Sequence, residues 1–189
     1  MSRHTTYRIG GPASLYITCD TVSDLSLVLE VLAEEEVPWT VVGKGSNLLV
    51  SDEGYQGAVI ALGREFSRID FGGYGEEDAD AAGAPAPSEV VVTAGAAVNL
   101  SRLVTKAFGL GLSGLGFAVG TPGTVGGAVR MNAGTATEWL CSVIECHGLH
   151  PRQGSVQARG RGHRLGLPLK LHPQGCDCCG GFAHLATLR

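Results

Sequence analysis

A glycine-rich stretch at residues 120–127 carries the residue types best suited to binding an anion. It holds four glycines and a proline, a composition unsuited to a packed core element because glycine loses much backbone entropy and has no side chain to pack. Free backbone N–H groups, the hydroxyls of Thr121 and Thr124, and a helix start after Thr124 would together hold a diphosphate without a cation. Apolar residues flank the stretch at 112–119 and 128–129. This pattern predicts a buried or cleft-lining segment rather than a plain surface loop.

A second loop of the same kind lies upstream, at residues 43–47, between predicted strands at 39–42 and 48–50. Its sequence, Gly-Lys-Gly-Ser-Asn, again offers backbone amides together with a hydroxyl and a side-chain amide. It is not a P-loop, because no Gly-Lys-Ser/Thr follows at the required spacing, and Leu48 stands where the dinucleotide fingerprint needs its third glycine. Two such loops in one small domain favour a phosphate-bearing ligand.

Four segments with these loops among them occur in a recognisable order: 5–13, 43–52, 111–115 and 120–134. Together they resemble the UDP-N-acetylenolpyruvoylglucosamine reductase family, also called UDP-N-acetylmuramate dehydrogenases, over about residues 3–145. The resemblance implies an α+β, two-lobed FAD-binding domain of the vanillyl-alcohol-oxidase/PCMH type. It also implies NADPH as the reductant, FAD as the bound cofactor and a UDP-sugar as the substrate, in a reaction that serves peptidoglycan synthesis.

The resemblance also implies a set of cofactor-binding residues. On the first loop these are Gly43, Lys44, Gly45, Ser46, Asn47 and Leu48. Around the second loop they are Gly120, Thr121, Pro122, Gly123, Thr124, Gly126, Gly127, Asn132, Ala133 and Gly134. The two loops are expected to wrap opposite sides of the FAD pyrophosphate, with Asn132 and Gly134 beside the flavin.

No catalytic residue is assigned. The family uses the Arg of a Gly-Tyr-Arg motif, a Ser from a third domain and a Glu near the C-terminus, to stabilise enolate charge and to supply a proton. None of the three has a counterpart here, and Arg130 and Glu138 lie outside those motif positions. We therefore expect the third, substrate-binding domain to be missing and the chain to be an inactive fragment.

The predicted elements support two lobes. We expect a short strand at 15–17, a helix from Thr21 or Ser23 to about Glu36, and strands at 39–42, 48–50 and 58–61. A strand at 89–94 and a helix at 99–108 follow. The predicted domains are a first FAD-binding lobe at 1–71, a flexible Gly-, Ala-, Pro- and acid-rich loop at 72–88, a second lobe at 89–145 and a tail at 146–189.

Bulk composition excludes several classes of protein. The 189 residues carry a formal net charge of −4, which gives no nucleic-acid-binding footprint. The sequence has no run of eighteen apolar residues and no signal-peptide pattern. We expect a cytoplasmic monomer without a membrane or nucleic-acid partner.

The composition changes abruptly after residue 145. Residues 146–189 hold only one of the 18 acidic residues, but five of the six histidines and four of the six cysteines. A metal site is not predicted, because the cysteine and histidine spacing fits no zinc motif. The residues concerned are Cys176, Cys178, Cys179, His163, His172 and His184.

A shift of reading frame at about residues 145–146 explains the composition of this tail better than a metal site does. Read one nucleotide later, the codons of 163–170 permit Ile-Asp-Trp-Gly-Tyr-Arg-Ser-Ser, which contains the family motif, and those of 146–151 permit an alternating strand. We therefore expect residues 146–189 to be out of frame and disordered, with few long-range backbone pairings.

Two alternatives stay open: another FAD-dependent oxidoreductase of the same superfamily, and a non-enzymatic nucleotide-binding module with a metal-binding tail. Residues 43–52 contain no histidine, which argues against the covalently flavinylated oxidases of that superfamily. A flavin absorbance spectrum separates both enzyme classes from the binding module.

Overall fold

The computed structural model describes residues 1–75, 90–150, 154–159 and 183–188. The helices are α1 (Val22–Glu34), α2 (Leu100–Gly109) and α3 (Val125–Arg130). The strands are β1 (Ala13–Cys19), β2 (Trp39–Val42), β3 (Tyr55–Leu62), β4 (Ile69–Asp70), β5 (Val92–Gly95), β6 (Ile144–His150), β7 (Gly154–Arg159) and β8 (Ala183–Leu188). Helices and strands are mixed in both halves of the chain, so the α+β class predicted from the sequence is confirmed.

The first lobe packs α1 on a three-stranded parallel sheet with the order β1-β3-β2. Thr21 caps α1, because its side chain accepts from the Asp24 N–H at 3.1 Å while the Asp24 carboxylate accepts from the Thr21 N–H at 3.0 Å. This reciprocal pair is a capping box and fixes the helix start. Leu25 and Leu29 are buried against the sheet, and each contributes about 1.5–3 kcal/mol through burial. The helix ends two residues before the predicted Glu36, which adopts φ +52°.

The predicted strand at residues 48–50 is wrong. Parallel neighbours such as β2 and β3 need a long crossover that carries the chain back along the sheet. Residues 43–54 make that return as turn and irregular chain. Val50 packs instead against Gly10, where a Cβ would lie 2.6 Å from the Val50 Cβ, and Leu49 is 72% exposed. The apolar run therefore reflects local packing and not a strand pairing.

The second lobe surrounds α2 and α3 with its own core. Asn99 caps α2 by accepting from the Arg102 N–H at 3.3 Å, and Leu100, Leu103 and Val104 point into the core. Thr124 caps α3 in the same way, so the helix start predicted after Thr124 is confirmed. The predicted strand at 89–94 begins later, as β5, and residue 89 lies outside the described residues.

Backbone hydrogen bonds join the two lobes. The Ala97 N–H donates to the Phe66 carbonyl at 2.9 Å, and the Gly95 N–H donates to the Arg68 carbonyl at 2.9 Å. Phe66 itself is buried in the core of the first lobe. β4 pairs with β5, so the end of the range 1–71 contributes to the second sheet. The predicted loop at 72–88 is described only at residues 72–75.

The expectation of few backbone pairings in the tail is wrong for the strands described there. β6, β7 and β8 extend the second sheet in the order β4-β5-β8-β6-β7. β6 pairs antiparallel with both β7 and β8, and β8 also pairs with β5. β6 begins at Ile144, whose side chain belongs to the core of the second lobe. An existing sheet edge provides a template of unpaired backbone groups, to which a strand can add with little demand on its side-chain pattern.

Candidate functional site

The two glycine-rich loops, although about 80 residues apart in the chain, lie against each other. We name residues 43–47 the first glycine loop and residues 120–127 the second glycine loop. A Cβ on Gly43 would collide with Oγ1 of Thr124 and lie 3.1 Å from its Cγ2. A Cβ on Gly123 would lie 2.9 Å from Oγ of Ser46. The prediction that both loops contribute to one place is thus consistent with their packing.

The N-terminal segment packs against the first glycine loop at Gly45. Gly45 has φ +61°, a backbone conformation that favours glycine, and a Cβ there would collide with the His4 carbonyl. The Thr6 N–H donates to the Gly45 carbonyl at 3.0 Å, and the Thr5 side chain is buried. Residues 5–13 belong to the ordered family pattern, but nothing in their sequence indicates that they lie at the site. Their position at the head of that ordered pattern was the available signal.

The first glycine loop offers a row of unused hydrogen-bond donors. Within the described ranges, no protein oxygen accepts from the backbone N–H groups of residues 43–47. Gly43, Lys44 and Asn47 are exposed, while Ser46 is half-buried. Successive unpaired N–H groups form a concave anion-binding surface. The adjoining Leu48 is half-buried, so it borders this surface with an apolar side chain.

The second glycine loop differs from the prediction, because the N–H groups where it enters α3 already donate to oxygen atoms of the protein. Four of its N–H groups donate to protein oxygens: Thr121 to the Ala118 carbonyl (3.2 Å), Val125 to the Val98 carbonyl (2.8 Å), Gly126 to the Ala96 carbonyl (2.9 Å) and Gly127 to Oγ1 of Thr124 (3.3 Å). The expectation that the stretch 120–127 offers free N–H groups is therefore wrong for Thr121, Val125, Gly126 and Gly127. Gly120, Gly123 and Thr124 are the residues whose N–H groups find no protein acceptor within the described ranges.

Several glycines of the site are explained by packing between protein segments. Gly126 leaves room for Ala96, whose Cβ would lie 2.8 Å from an added Cβ. Gly134 packs against Trp139, and the two residues form a β-bridge. By contrast, Gly120 has φ +78° and no heavy atom within 4 Å of the position of a Cβ. The glycine at 120 is required by backbone conformation, and the space beside it is open.

The segment after α3 carries the remaining predicted site residues. Asn132 is half-buried and adopts φ +46°, a left-handed conformation that asparagine tolerates. Ala133 is packed against the second core, and its N–H donates to the Ala128 carbonyl at 2.8 Å. Pro122 and Gly134 are exposed. Placement of Asn132 and Gly134 beside a flavin stays a prediction.

Charge is sparse at this site. Lys44 is the cation contributed by the first glycine loop, and the second glycine loop contains no charged residue. Elsewhere in the first lobe, Tyr16 stacks on His4 with ring centroids 4.0 Å apart, and burial raises the pKa of the Tyr16 hydroxyl. An anion at the glycine loops would be held mainly by N–H dipoles.

Metal ligands do not converge among the residues that the structure describes, where no group of three or more His, Cys, Asp or Glu is arranged to hold an ion. Most of the Cys and His residues of the tail lie outside those residues. A separate question is whether a helix could cross a membrane. None of the described helices is both long and apolar enough to do so.

The two lobes carry apposed, amide-bearing loops, and this arrangement belongs to a domain that a family model recognises. The model of the family described as FAD binding domain matches residues 13–145, and the chain belongs to that family. The α+β, two-lobed fold of the vanillyl-alcohol-oxidase/PCMH type predicted from the sequence is confirmed.

Among curated proteins, the chain is similar to UDP-N-acetylenolpyruvoylglucosamine reductases. It is 44% identical to the one from Pelobacter propionicus over 134 residues, covering 71% of this chain and 40% of that protein. It is 45% identical to the one from Heliobacterium modesticaldum over 167 residues, covering 87% of this chain and 47% of that protein. The second match extends past residue 145, into the tail. The matched part of the chain covers less than half of the length of these relatives.

A similarity to the same kind of reductase is found among solved structures. The crystal structure of the reductase from Thermus caldophilus matches all of this chain and 59% of its own chain, with a TM-score of 0.72 and 29% identity. Cholesterol oxidase from Brevibacterium sterolicum matches 91% of this chain with a TM-score of 0.58 at 15% identity, a likeness of fold alone.

Proposed function

We propose that this chain is the FAD-binding part of an NADPH-dependent reductase that converts UDP-N-acetylenolpyruvoylglucosamine to UDP-N-acetylmuramate. The observation that carries the proposal is the apposition of the two glycine loops, with eight N–H groups lacking protein acceptors in the described ranges. Membership of the FAD binding domain family and similarity to reductases of that name support it. We further propose that the protein works as a monomer in the cytoplasm.

The residues present fit the diphosphate of FAD. A diphosphate needs several donors within reach of its oxygens, and N–H-rich backbone without bulky side chains provides them. The N–H groups of residues 43–47 would hold one side, and those of Gly120, Gly123 and Thr124 the other. The Ser46 hydroxyl adds a donor where the loops meet.

When bound, FAD supplies the hydride chemistry, which the side chains of this chain do not provide themselves. The chain itself would bind and orient the diphosphate. The hydrogen bonds donated by the backbone N–H groups of Gly95 and Ala97 would hold the two lobes together. Reduction of an enolpyruvyl group also requires a group that stabilises enolate charge and a proton donor. No residue of the matched region is assigned to either task, so we propose that the 189 residues alone do not turn over the substrate.

Flavin titration of the purified 189-residue protein tests the proposal. We expect FAD to bind and to co-elute in gel filtration, and FMN and riboflavin to bind at least about tenfold more weakly, because neither contains the diphosphate bridge. We expect no NADPH consumption that depends on UDP-N-acetylenolpyruvoylglucosamine. Absence of FAD binding would contradict the proposal, and equal affinity for FMN would contradict the role of the diphosphate. Robust substrate turnover would show that catalytic groups in this chain have been missed.

The reading frame of residues 146–189 remains a separate proposal. If the genomic DNA downstream of codon 145 spells the Gly-Tyr-Arg motif in the shifted frame, a longer protein with the frame restored should consume NADPH in the presence of the substrate. If the shifted frame does not spell the motif, the frame-shift hypothesis fails, and the strands β6, β7 and β8 belong to the encoded protein.

A further inference from the structure

Thr124 is buried where the second lobe meets the first glycine loop. It is one of two buried polar residues in the described part of the chain, with 6% of its surface exposed. Its Oγ1 accepts from the Gly127 N–H at 3.3 Å and so caps α3. Its backbone forms a bridge with Asn99, flanked by bonds from the Leu100 N–H to the Gly123 carbonyl (3.1 Å) and from the Val125 N–H to the Val98 carbonyl (2.8 Å). Both its side chain and its backbone are fixed by the second lobe.

The same side chain occupies the space beside Gly43. A Cβ on Gly43 would collide with Oγ1 of Thr124, and it would also lie 3.1 Å from Cγ2 and 3.3 Å from Cβ of Thr124. Gly43 has no positive φ that would require glycine. The glycine at 43 is therefore explained by the threonine at 124. This contact joins the start of the first glycine loop to the capping residue of the second.

We infer that Thr124 is a positioning residue for the cofactor site, which sets the spacing of the two glycine loops through its contact with Gly43. This inference rests on the proposed function, since the spacing matters for a ligand that both loops hold. The Thr124 hydroxyl faces Gly43 and Gly127, and so it acts on the diphosphate through the first glycine loop. The backbone N–H of Thr124 remains one of the groups that would contact the ligand.

A matched pair of capping threonines separates this role from simple helix capping. Thr21 caps α1 through the same interaction, Oγ1 accepting from the N–H three residues later, but it lies in the first lobe and makes no hydrogen bond to either loop within the described residues. We expect Thr124→Val to weaken FAD binding by about fivefold or more, because the methyl both crowds Gly43 and abolishes the cap. Thr124→Ser, which keeps the hydroxyl, should restore most of the affinity. Thr21→Val should lower the thermal midpoint and leave the affinity of the folded protein unchanged.

A double-mutant cycle tests the contact itself. Gly43→Ala alone should abolish FAD retention, because its Cβ has no room beside Thr124. In a Thr124→Ala background Oγ1 and Cγ2 are gone and only the Cβ at 3.3 Å remains, so the same Gly43→Ala change should have a much smaller effect. Contacting residues deviate from additivity in this way, and distant ones do not. Additive effects on FAD affinity would overturn the inference.

A measurement without cofactor keeps this test independent of the proposed function. In the ¹⁵N spectrum of the apo protein, Thr124→Ser and Thr124→Ala should shift the amide signals of Gly43, Lys44 and Gly45, and Thr21→Ser should not. If these signals do not move, Thr124 does not position the loop. If they move while no variant and no wild-type protein binds FAD, the positioning contact stands and it is the proposed function that fails.

Discussion

The two glycine loops have similar compositions but use their backbones differently. In the first, the N–H groups of all five residues lack protein acceptors within the described ranges, and the loop is held by contacts to its carbonyl and Cα atoms. In the second, the N–H groups of Thr121, Val125, Gly126 and Gly127 are bonded to the protein. Glycine density alone therefore does not identify an anion site. The number of N–H groups left without a protein partner is the more informative quantity.

The glycines themselves also fall into two groups. Gly43, Gly126 and Gly134 allow close packing of other protein segments, whereas Gly120 is required by its φ of +78°. Gly45 and Gly123, with φ +61° and +112°, combine both requirements. This division predicts which substitutions damage the fold and which damage ligand binding in a folded protein.

The largest effects are expected at the glycines that combine strain with contact. Gly45→Val would strain a backbone at φ +61° and collide with the His4 carbonyl, and Gly123→Val would strain φ +112° and crowd Ser46. Backbone strain of this kind costs about 1–3 kcal/mol. Both variants should lose flavin retention in gel filtration. The control is Gly111→Val, with φ +74° and no heavy atom within 4 Å. Normal yellow protein from both loop variants would refute the site.

A smaller and cleaner effect is expected at Gly120. Gly120→Val and Gly73→Val impose the same strain, because the two glycines have φ +78° and +80° and neither has a heavy atom within 4 Å of a Cβ. Only Gly120 lies in a glycine loop. Both variants should lose similar thermal stability, and Gly120→Val alone should weaken FAD binding, by about tenfold. Equal FAD affinities in the two folded variants would remove Gly120 from the site.

Gly126→Ala should affect stability rather than ligand binding. Its Cβ would lie 2.8 Å from the Ala96 Cβ, and its N–H is already donated to the Ala96 carbonyl. We expect a lower thermal midpoint, consistent with overpacking that costs about 1–3 kcal/mol. The FAD affinity of the folded fraction, measured well below that midpoint, should change by less than about twofold. A large loss of affinity would mean that the start of α3 contacts the ligand after all.

The smallest effect is expected at Asp20, which makes no hydrogen bond to either loop within the described residues. The Arg64 backbone N–H, which donates to Asp20 at 3.0 Å, and the Arg64 side chain lower the pKa of this carboxyl below its ordinary value. A lowered folded-state pKa contributes stability above the unfolded-state pKa, and that stability is lost as pH falls through the folded-state pKa. Asp20→Asn should therefore reduce the thermal midpoint slightly at neutral pH. The difference from wild type should vanish in acid, and FAD affinity should not change.

Local signals in the sequence predicted much of the fold. Thr21, Asn99 and Thr124 stand at the starts of the three helices, and each is a residue type whose side chain accepts from the first helical turn. The apolar run at 48–50 could not be assigned from periodicity, because three residues fit a strand and a packed connection equally well. The pairing of β8 with β5 joins segments about 90 residues apart, which no local pattern indicates.

The site was predictable in position but not in its hydrogen bonding. The order of the family segments led to residues 43–47 and 120–127, and the structure brings these loops together. The allocation of N–H groups depends on acceptors at Ala96 and Val98, which are remote in sequence from the second glycine loop. The contact with Gly45 likewise comes from the His4 carbonyl, a backbone group that no side-chain pattern in the sequence indicates.

Amide hydrogen exchange with and without FAD tests the central claim most directly. We predict that exchange at Gly43, Lys44, Asn47 and Gly120, which are exposed and lack protein acceptors within the described ranges, is fast in the apo protein and slows when FAD is added. Val125, Gly126 and Gly127 should already be protected before FAD is added, since their N–H groups are bonded within the protein. Flavin binding that leaves residues 43–47 unprotected, or that newly protects residues 125–127, would contradict the account.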